Sequence, residues 1–141
     1  MGWDLLAIAG AVVLVDQTAK ALAIRFLSPA GPAAAGAVGL TLAANRGWWL
    51  GGSPTAPVLI ALWGLTLGCT ALALAAGPDL ASNQLASAGL VVALAGAASN
   101  LWDRVRRGAV VDFIVLGRWP TFNLADVAIV AGVAVALGAV A

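Results

Sequence analysis

The chain contains no histidine and a single cysteine, Cys69, and only 9% of its 141 residues are charged. Without histidine there is no Ser-His or Cys-His catalysis and no imidazole-ligated zinc. One cysteine builds neither an internal disulfide framework nor a thiolate metal cage. Seven basic residues against six acidic ones leave a net charge of +1 with no basic block, so the footprint of a nucleic-acid binder is missing too. Soluble domains carry roughly a quarter charged residues, and so few charges cannot cover a water-soluble globule of this length. What fills the chain instead is apolar: 62% of it is hydrophobic and the mean hydropathy is +1.02. Length and composition together place one domain in a bilayer.

Four apolar stretches, at about residues 3–27, 57–76, 83–102 and 122–141, approach the ~20 residues that a helix needs to cross the hydrocarbon core. The first is not expected to be a cleaved signal, because no Lys or Arg precedes it and Asp16 and Lys20 interrupt it. Residues 28–37 (SPAGPAAAGA) read as a loop and residues 38–45 (VGLTLAAN) as a short strand, giving a β-rich segment over about 38–52. Adjacent Trp48 and Trp49 suit a membrane–water interface. The expected fold class is an all-α membrane protein of four transmembrane helices, with that small β-rich segment between the first two. Four passes bring the end of the first span, the start of the second, the end of the third and the start of the fourth to one side. Asp16, Lys20, Arg25, Asn45, Arg46, Asn100, Asp103, Arg104, Asp112, Asn123 and Asp126 all fall there, while the other side keeps Asp4 and Asp79.

Charged groups inside membrane spans are costly and mark function by default, with a partner nearby. Asp16 and Lys20 are one helical turn apart and can pair, which favours a structural ion pair over direct chemistry. Asn100, Asp103 and Arg104 share a helix face and read equally as a polar end to the third span. Arg106 and Arg107 read as interfacial anchors. Lys20, the only lysine, could in principle serve a Ser-Lys dyad with Ser28, Ser53 or Ser99, but Asp16 holds it charged and spoils it as a base.

Asp112 and Asp126 differ from these. Asp112 sits in the β-branched stretch Val110-Val111-Asp112-Phe113-Ile114, expected to lie extended at the membrane surface. Asp126 stands near the start of the last span, and the 15 residues that follow it cover only about 22 Å, so it should lie within the bilayer near its boundary. Neither has a flanking cation. Two neighbouring carboxyls cannot both ionise easily, so one can keep a proton and polarise a carbonyl while the other activates water. That chemistry needs no histidine, metal or cofactor. The structural alternative, a loop cap and a buried polar strut, carries equal weight on spacing alone.

Four segments resemble the motifs of the lipoprotein signal peptidase (signal peptidase II) family. They are Val15-Asp16-Gln17-Thr18-Ala19-Lys20, Asn45-Arg46-Gly47, Asn100-Leu101-Trp102-Asp103-Arg104 continuing to Gly108-Ala109-Val110-Val111-Asp112-Phe113, and Trp119-Pro120-Thr121-Phe122-Asn123-Leu124-Ala125-Asp126. The resemblance implies an aspartyl endopeptidase of the bacterial inner membrane whose catalytic pair falls on Asp112 and Asp126. Asp16, Lys20, Asn45, Gly47, Asn100, Asp103, Arg104 and Asn123 would support the site or bind substrate. It further implies a diacylglyceryl-modified prolipoprotein as substrate, membrane lipids as partners, globomycin as a type of inhibitor, and a site facing outward. The positive-inside rule would instead put the arginine-bearing loops in the cytoplasm; the family orientation is preferred because Arg104 belongs to a site motif.

The chain departs from the family pattern at Ala95-Gly96-Ala97-Ala98-Ser99, where more glycine is usual, and at Trp48-Trp49, where small residues are usual. Substrate range and inhibitor sensitivity are open on that account, as is a divergent paralogue. Two readings from other classes stand beside the peptidase. One is a catalytically silent protein that holds lipidated peptides; the other is a small proton-coupled transporter relaying protons through Asp16, Lys20 and Asp126.

Overall fold

The computed structural model describes residues 2–29, 38–45, 83–117 and 119–139. The span expected at 57–76, the latter part of the expected β-rich segment and Gly47 lie outside the described residues. The described chain is mostly helical, with one small sheet: α1 (Gly2–Phe26), β1 (Val38–Asn45), α2 (Gln84–Arg107), β2 (Val110–Leu116) and α3 (Leu124–Gly138).

Helices α1 and α2 have 25 and 24 residues, about 36 Å each at 1.5 Å per residue, and both are apolar enough to cross a membrane. α1 stops just before Ser28-Pro29, where proline bars further helix. α2 begins at Asn83, whose side chain accepts from the Leu85 and Ala86 amides at 3.1 Å. It runs past the expected end near residue 102 to Arg107, because no breaker intervenes before Gly108. That glycine turns left-handed (φ 72°) and closes the helix with its N–H on the Arg104 carbonyl. Arg104, Arg106 and Arg107 crowd the last turn, where cations favour the helix dipole. α3 is shorter than the expected 122–141 stretch, since Asn123 caps it and its 15 residues end at Gly138.

Among the described residues, many large apolar side chains face outward, while the bulkiest fully buried side chains are polar. Leu6, Leu14, Val130 and Leu137 are each more than 60% exposed, whereas the largest fully buried side chains are Lys20, Asn123, Asp16, Asp103 and Ser99. Water would reverse that distribution; hydrocarbon permits it, provided the interior polar groups satisfy one another. α2 and α3 cross through small residues. A methyl group on Gly96 would meet the Ala125 carbonyl at 2.6 Å, and one on Gly132 would meet the Gly89 carbonyl at 2.5 Å. Such backbone contact is how helices gain packing where lipid removes the hydrophobic drive between them.

Strands β1 and β2 pair antiparallel from Val38 opposite Leu116 to Asn45 opposite Val110, with an irregularity between Leu40 and Ala43. The strand expected at 38–45 is present, and its partner is the stretch around Asp112 expected to lie extended. Half of the sheet comes from the connection that leads into α3. The Val110–Leu116 run is β-branched and turns back through Phe122, which exchanges backbone hydrogen bonds with Ile114 at 2.8 and 3.0 Å.

Candidate active site

Asp112 is carried by β2 and Asp126 by the first turn of α3, and Asn123 joins them. As N-cap of α3, Asn123 accepts the Asp126 amide on its Oδ1 at 3.0 Å, while its own N–H donates to Asp126 Oδ2 at 3.1 Å, a reciprocal capping box. With Oδ1 committed, Asn123 Nδ2 faces the other way and donates to Asp112 Oδ1 at 2.7 Å. The second oxygen of Asp112 accepts from Asn45 Nδ2 at 3.1 Å. Asn45 stands opposite Val110, so it lies diagonal to Asp112 across the sheet, within side-chain reach. Asp126 Oδ1 accepts from Asn100 Nδ2 of α2 at 2.8 Å. All four carboxylate oxygens thus receive a neutral amide donor.

A second cluster lies beside the first. Lys20, fully buried, donates to Asp16 at 2.7 Å, to Asp103 at 2.9 Å and to Asn100 Oδ1 at 2.8 Å, which uses all three ammonium protons. Asp16 also accepts from the Ala125 amide at 2.9 Å and the Ser99 hydroxyl at 2.6 Å, tying α1 to α2 and to the start of α3. Asp103 accepts from the Val111 amide at 3.3 Å and pairs with Arg107, so it ties α2 to β2.

Burial pushes the Asp112 carboxyl above its ordinary value of 3.8, and the nearby Asp126 charge adds to this; the Asn45 and Asn123 amides and the Lys20 charge pull part of the way back. Asp112 therefore keeps its proton to higher pH than an ordinary aspartate. A carboxyl raised in this way suits the acid of an acid–base pair.

Of the residues singled out in the sequence, Asp16, Lys20, Asn45, Asn100, Asp103, Asn123, Asp112 and Asp126 converge in one hydrogen-bonded network. Arg104 lies half-buried in the last turn of α2. Arg107, read as an interfacial anchor, instead donates to Asp103 and to Gln17 Oε1. Ser99, weighed as a nucleophile, donates to Asp16. Gln17 was overlooked, yet its amide bridges Ser99 Oγ at 2.9 Å and Asp103 at 3.1 Å; its place beside Asp16 on α1 was the available signal. Among the described residues no cluster could hold a metal ion.

The family model for signal peptidase (SPase) II matches residues 8–141. A lipoprotein signal peptidase of Mycolicibacterium smegmatis is 36% identical over 140 residues, covering 91% of this chain and 57% of that protein. One from Rhodopseudomonas palustris is 39% identical over 102 residues, covering 66% of this chain and 60% of that protein. The chain thus spans less than two thirds of the length of either relative. A solved bacterial membrane enzyme superposes with a TM-score of 0.75 at 26% identity, over 97% of this chain and 87% of the other.

Proposed function

The chain belongs to the signal peptidase II family, and on that premise we propose that it cleaves the signal peptide from diacylglyceryl-modified prolipoproteins, with Asp112 and Asp126 as its catalytic pair. The observation that carries the reading is the Asn123 bridge. One asparagine caps the helix that presents Asp126 and holds Asp112 at 2.7 Å, so two carboxylates from different elements are tied to one side chain, with no direct ion pair to either among the described residues.

In this mechanism the ionised carboxylate, Asp126, takes a proton from a water as its oxygen attacks the scissile carbonyl. Protonated Asp112 donates to the carbonyl oxygen as negative charge develops there. Collapse of the tetrahedral adduct breaks the C–N bond: the departing amine takes the proton that Asp126 gained, and one hydroxyl of the adduct returns a proton to Asp112 as the carboxyl product forms, which restores the starting pair. An apolar groove of about 560 Å³ lined by Leu116, Trp119, Phe122, Val127 and Val130 reaches Asp126. It supports lateral entry of a lipidated substrate from the bilayer. The described helices are read as part of a four-span inner-membrane domain with the site on the extracytoplasmic side, despite the arginines on this face, and a globomycin-type cyclic peptide would compete with substrate there.

Cleavage of a purified diacylglyceryl prolipoprotein in detergent tests the reading. Asp112→Asn and Asp126→Asn should each lower turnover by at least about a hundredfold with the fold intact, the range expected for loss of a general acid or base. Full turnover in either variant would refute the aspartyl mechanism. Labelling of single cysteines placed between residues 106 and 118, in a Cys69→Ser background, reads the orientation; labelling from the cytoplasmic side would reverse it.

A further inference from the structure

We propose that Lys20 is a positioning residue for Asp126, acting through Asn100: the ammonium group fixes which end of the Asn100 amide faces the carboxylate. The inference rests on the catalytic pairing of Asp112 and Asp126 proposed above.

An asparagine side chain can turn its oxygen and nitrogen either way unless its neighbours forbid one orientation. At Asn100 they do. Lys20 has only protons to offer, so the group 2.8 Å from Nζ must be the Asn100 oxygen. The Asn123 amide nitrogen, 3.1 Å from the same oxygen, is likewise a donor, because Asn123 Oδ1 is already committed to the Asp126 amide. Asn100 Nδ2 is thereby left facing Asp126 Oδ1 at 2.8 Å, and an N–H is delivered to the carboxylate. Reversal of the amide would set a carbonyl oxygen against that carboxylate. The Lys20 contact is the charge-assisted one of the two that oppose reversal, hence the stronger.

The ammonium is itself fixed. Asp16 from its own helix and Asp103 from α2 hold its other two protons, and each of these carboxylates is anchored elsewhere, on the Ala125 amide and on Arg107. Lys20 touches neither candidate catalytic carboxylate directly in the hydrogen bonds described. Its hydrogen-bonded route to Asp126 therefore runs through the Asn100 amide, beside the pull of its charge on Asp112. The charged groups around this relay are Lys20 and Asp16 on α1, Asp103 and Arg107 on α2, Asp112 on β2 and Asp126 itself on α3.

Removing Lys20 alone would leave Asp16 and Asp103 facing one cation. The informative variant is Lys20→Met combined with Asp16→Asn, which keeps the cluster balanced as Asp103 with Arg107 and preserves an oxygen for the Ala125 amide. Steady-state cleavage of a diacylglyceryl prolipoprotein should show kcat lowered about 10- to 100-fold with KM within about twofold. Adding Asn100→Ala to that variant should cost little more, because the two residues act as one unit. A KM rise with kcat preserved, or independent and multiplicative losses, would overturn the relay. If the double variant does not fold, Asn100→Ala alone decides, since it leaves every ion pair in place: kcat lowered at constant KM supports the relay, and wild-type kcat overturns it. Asp126→Asn, run in parallel, separates the two proposals. If it retains turnover, the aspartyl reading has failed; if it is inactive while the Lys20 and Asn100 variants are fully active, only the relay has failed.

Discussion

Two carboxylate clusters share one polar interior, and they are neutralised in opposite ways. Asp16 and Asp103 are matched by Lys20 and Arg107, charge for charge, with direct ion pairs. Among the described residues, Asp112 and Asp126 receive amide donors, from Asn45, Asn100, Asn123 and the Asn123 backbone, and no direct ion pair. A carboxylate saturated by cations is a strut: it joins elements and has no reason to exchange a proton. A carboxylate pair met by neutral donors keeps its mutual repulsion, and burial together with the Asp126 charge raises the Asp112 carboxyl. On the proposed reading the same residue type serves architecture or chemistry according to what faces it.

The contrast is sharpest when one aspartate from each cluster is neutralised. Asp16→Ala leaves the Ala125 amide and the Ser99 hydroxyl without their acceptor and unbalances Lys20. Breaking a buried ion pair in this way costs about 3–5 kcal/mol, so thermal unfolding in detergent should fall sharply and activity should vanish with the fold. Asp112→Asn, also at a buried position, breaks no direct ion pair among the described residues and retains an oxygen for Asn45 or Asn123. Its unfolding temperature should match or exceed that of the parent while cleavage is lost. Equal destabilisation by the two substitutions would erase the distinction between strut and reacting pair.

Much of this site is legible before any coordinates. Counting four expected passes brings Asp16, Lys20, Asn100, Asp103, Asp112 and Asp126 to one side, and the described residues join all six in one hydrogen-bonded network. The β-branched run around Asp112 reads as extended, and β2 forms there. Pairing was not legible. β1 finds its partner 65 or more residues later in β2, and no local pattern announces a partner at that range. The same holds for Arg107 and Gln17, whose roles depend on α1 and α2 crossing where they do. Nor could spacing show that the Asp112 carboxyl is raised, since that follows first from its burial and then from the Asp126 charge beside it.

The two clusters also depend on one helix crossing, which offers a smaller perturbation of both. Gly96 lets α2 approach the first turn of α3, and an added methyl would sit 2.6 Å from the Ala125 carbonyl oxygen, a backbone atom with little room to move. Ala125 separates Asp126 from the capping residue, and its amide holds Asp16 at 2.9 Å. Gly96→Ala should therefore cost about 1–3 kcal/mol of stability and lower kcat as well, because the displaced segment carries Asp126. Gly10→Ala, on the open face of α1 with nothing within 4 Å of the added atom, is the matched control and should leave both unchanged. Similar losses from the two glycines would detach the crossing from the site.

The smallest effect concerns pH and separates the clusters by sign. The carboxyl of Asp112 is held above its ordinary value in the folded protein, first by burial. As the acid of the pair it works while protonated, so cleavage should decline on the alkaline side as that proton is lost, above the ordinary aspartate range. The Asn45 amide lowers the value, so Asn45→Ala should carry the alkaline limb further upward, by less than about one pH unit. Stability follows the same proton. A group whose folded value is raised contributes most below its unfolded value near 3.8 and loses that contribution as pH rises through the folded one. Unfolding temperature should accordingly drop across the limb in the parent chain, and that drop should be absent in Asp112→Asn. A limb that moves downward on loss of Asn45, or a drop that survives in Asp112→Asn, would assign the titration to another group and remove the asymmetry on which acid and base were distinguished.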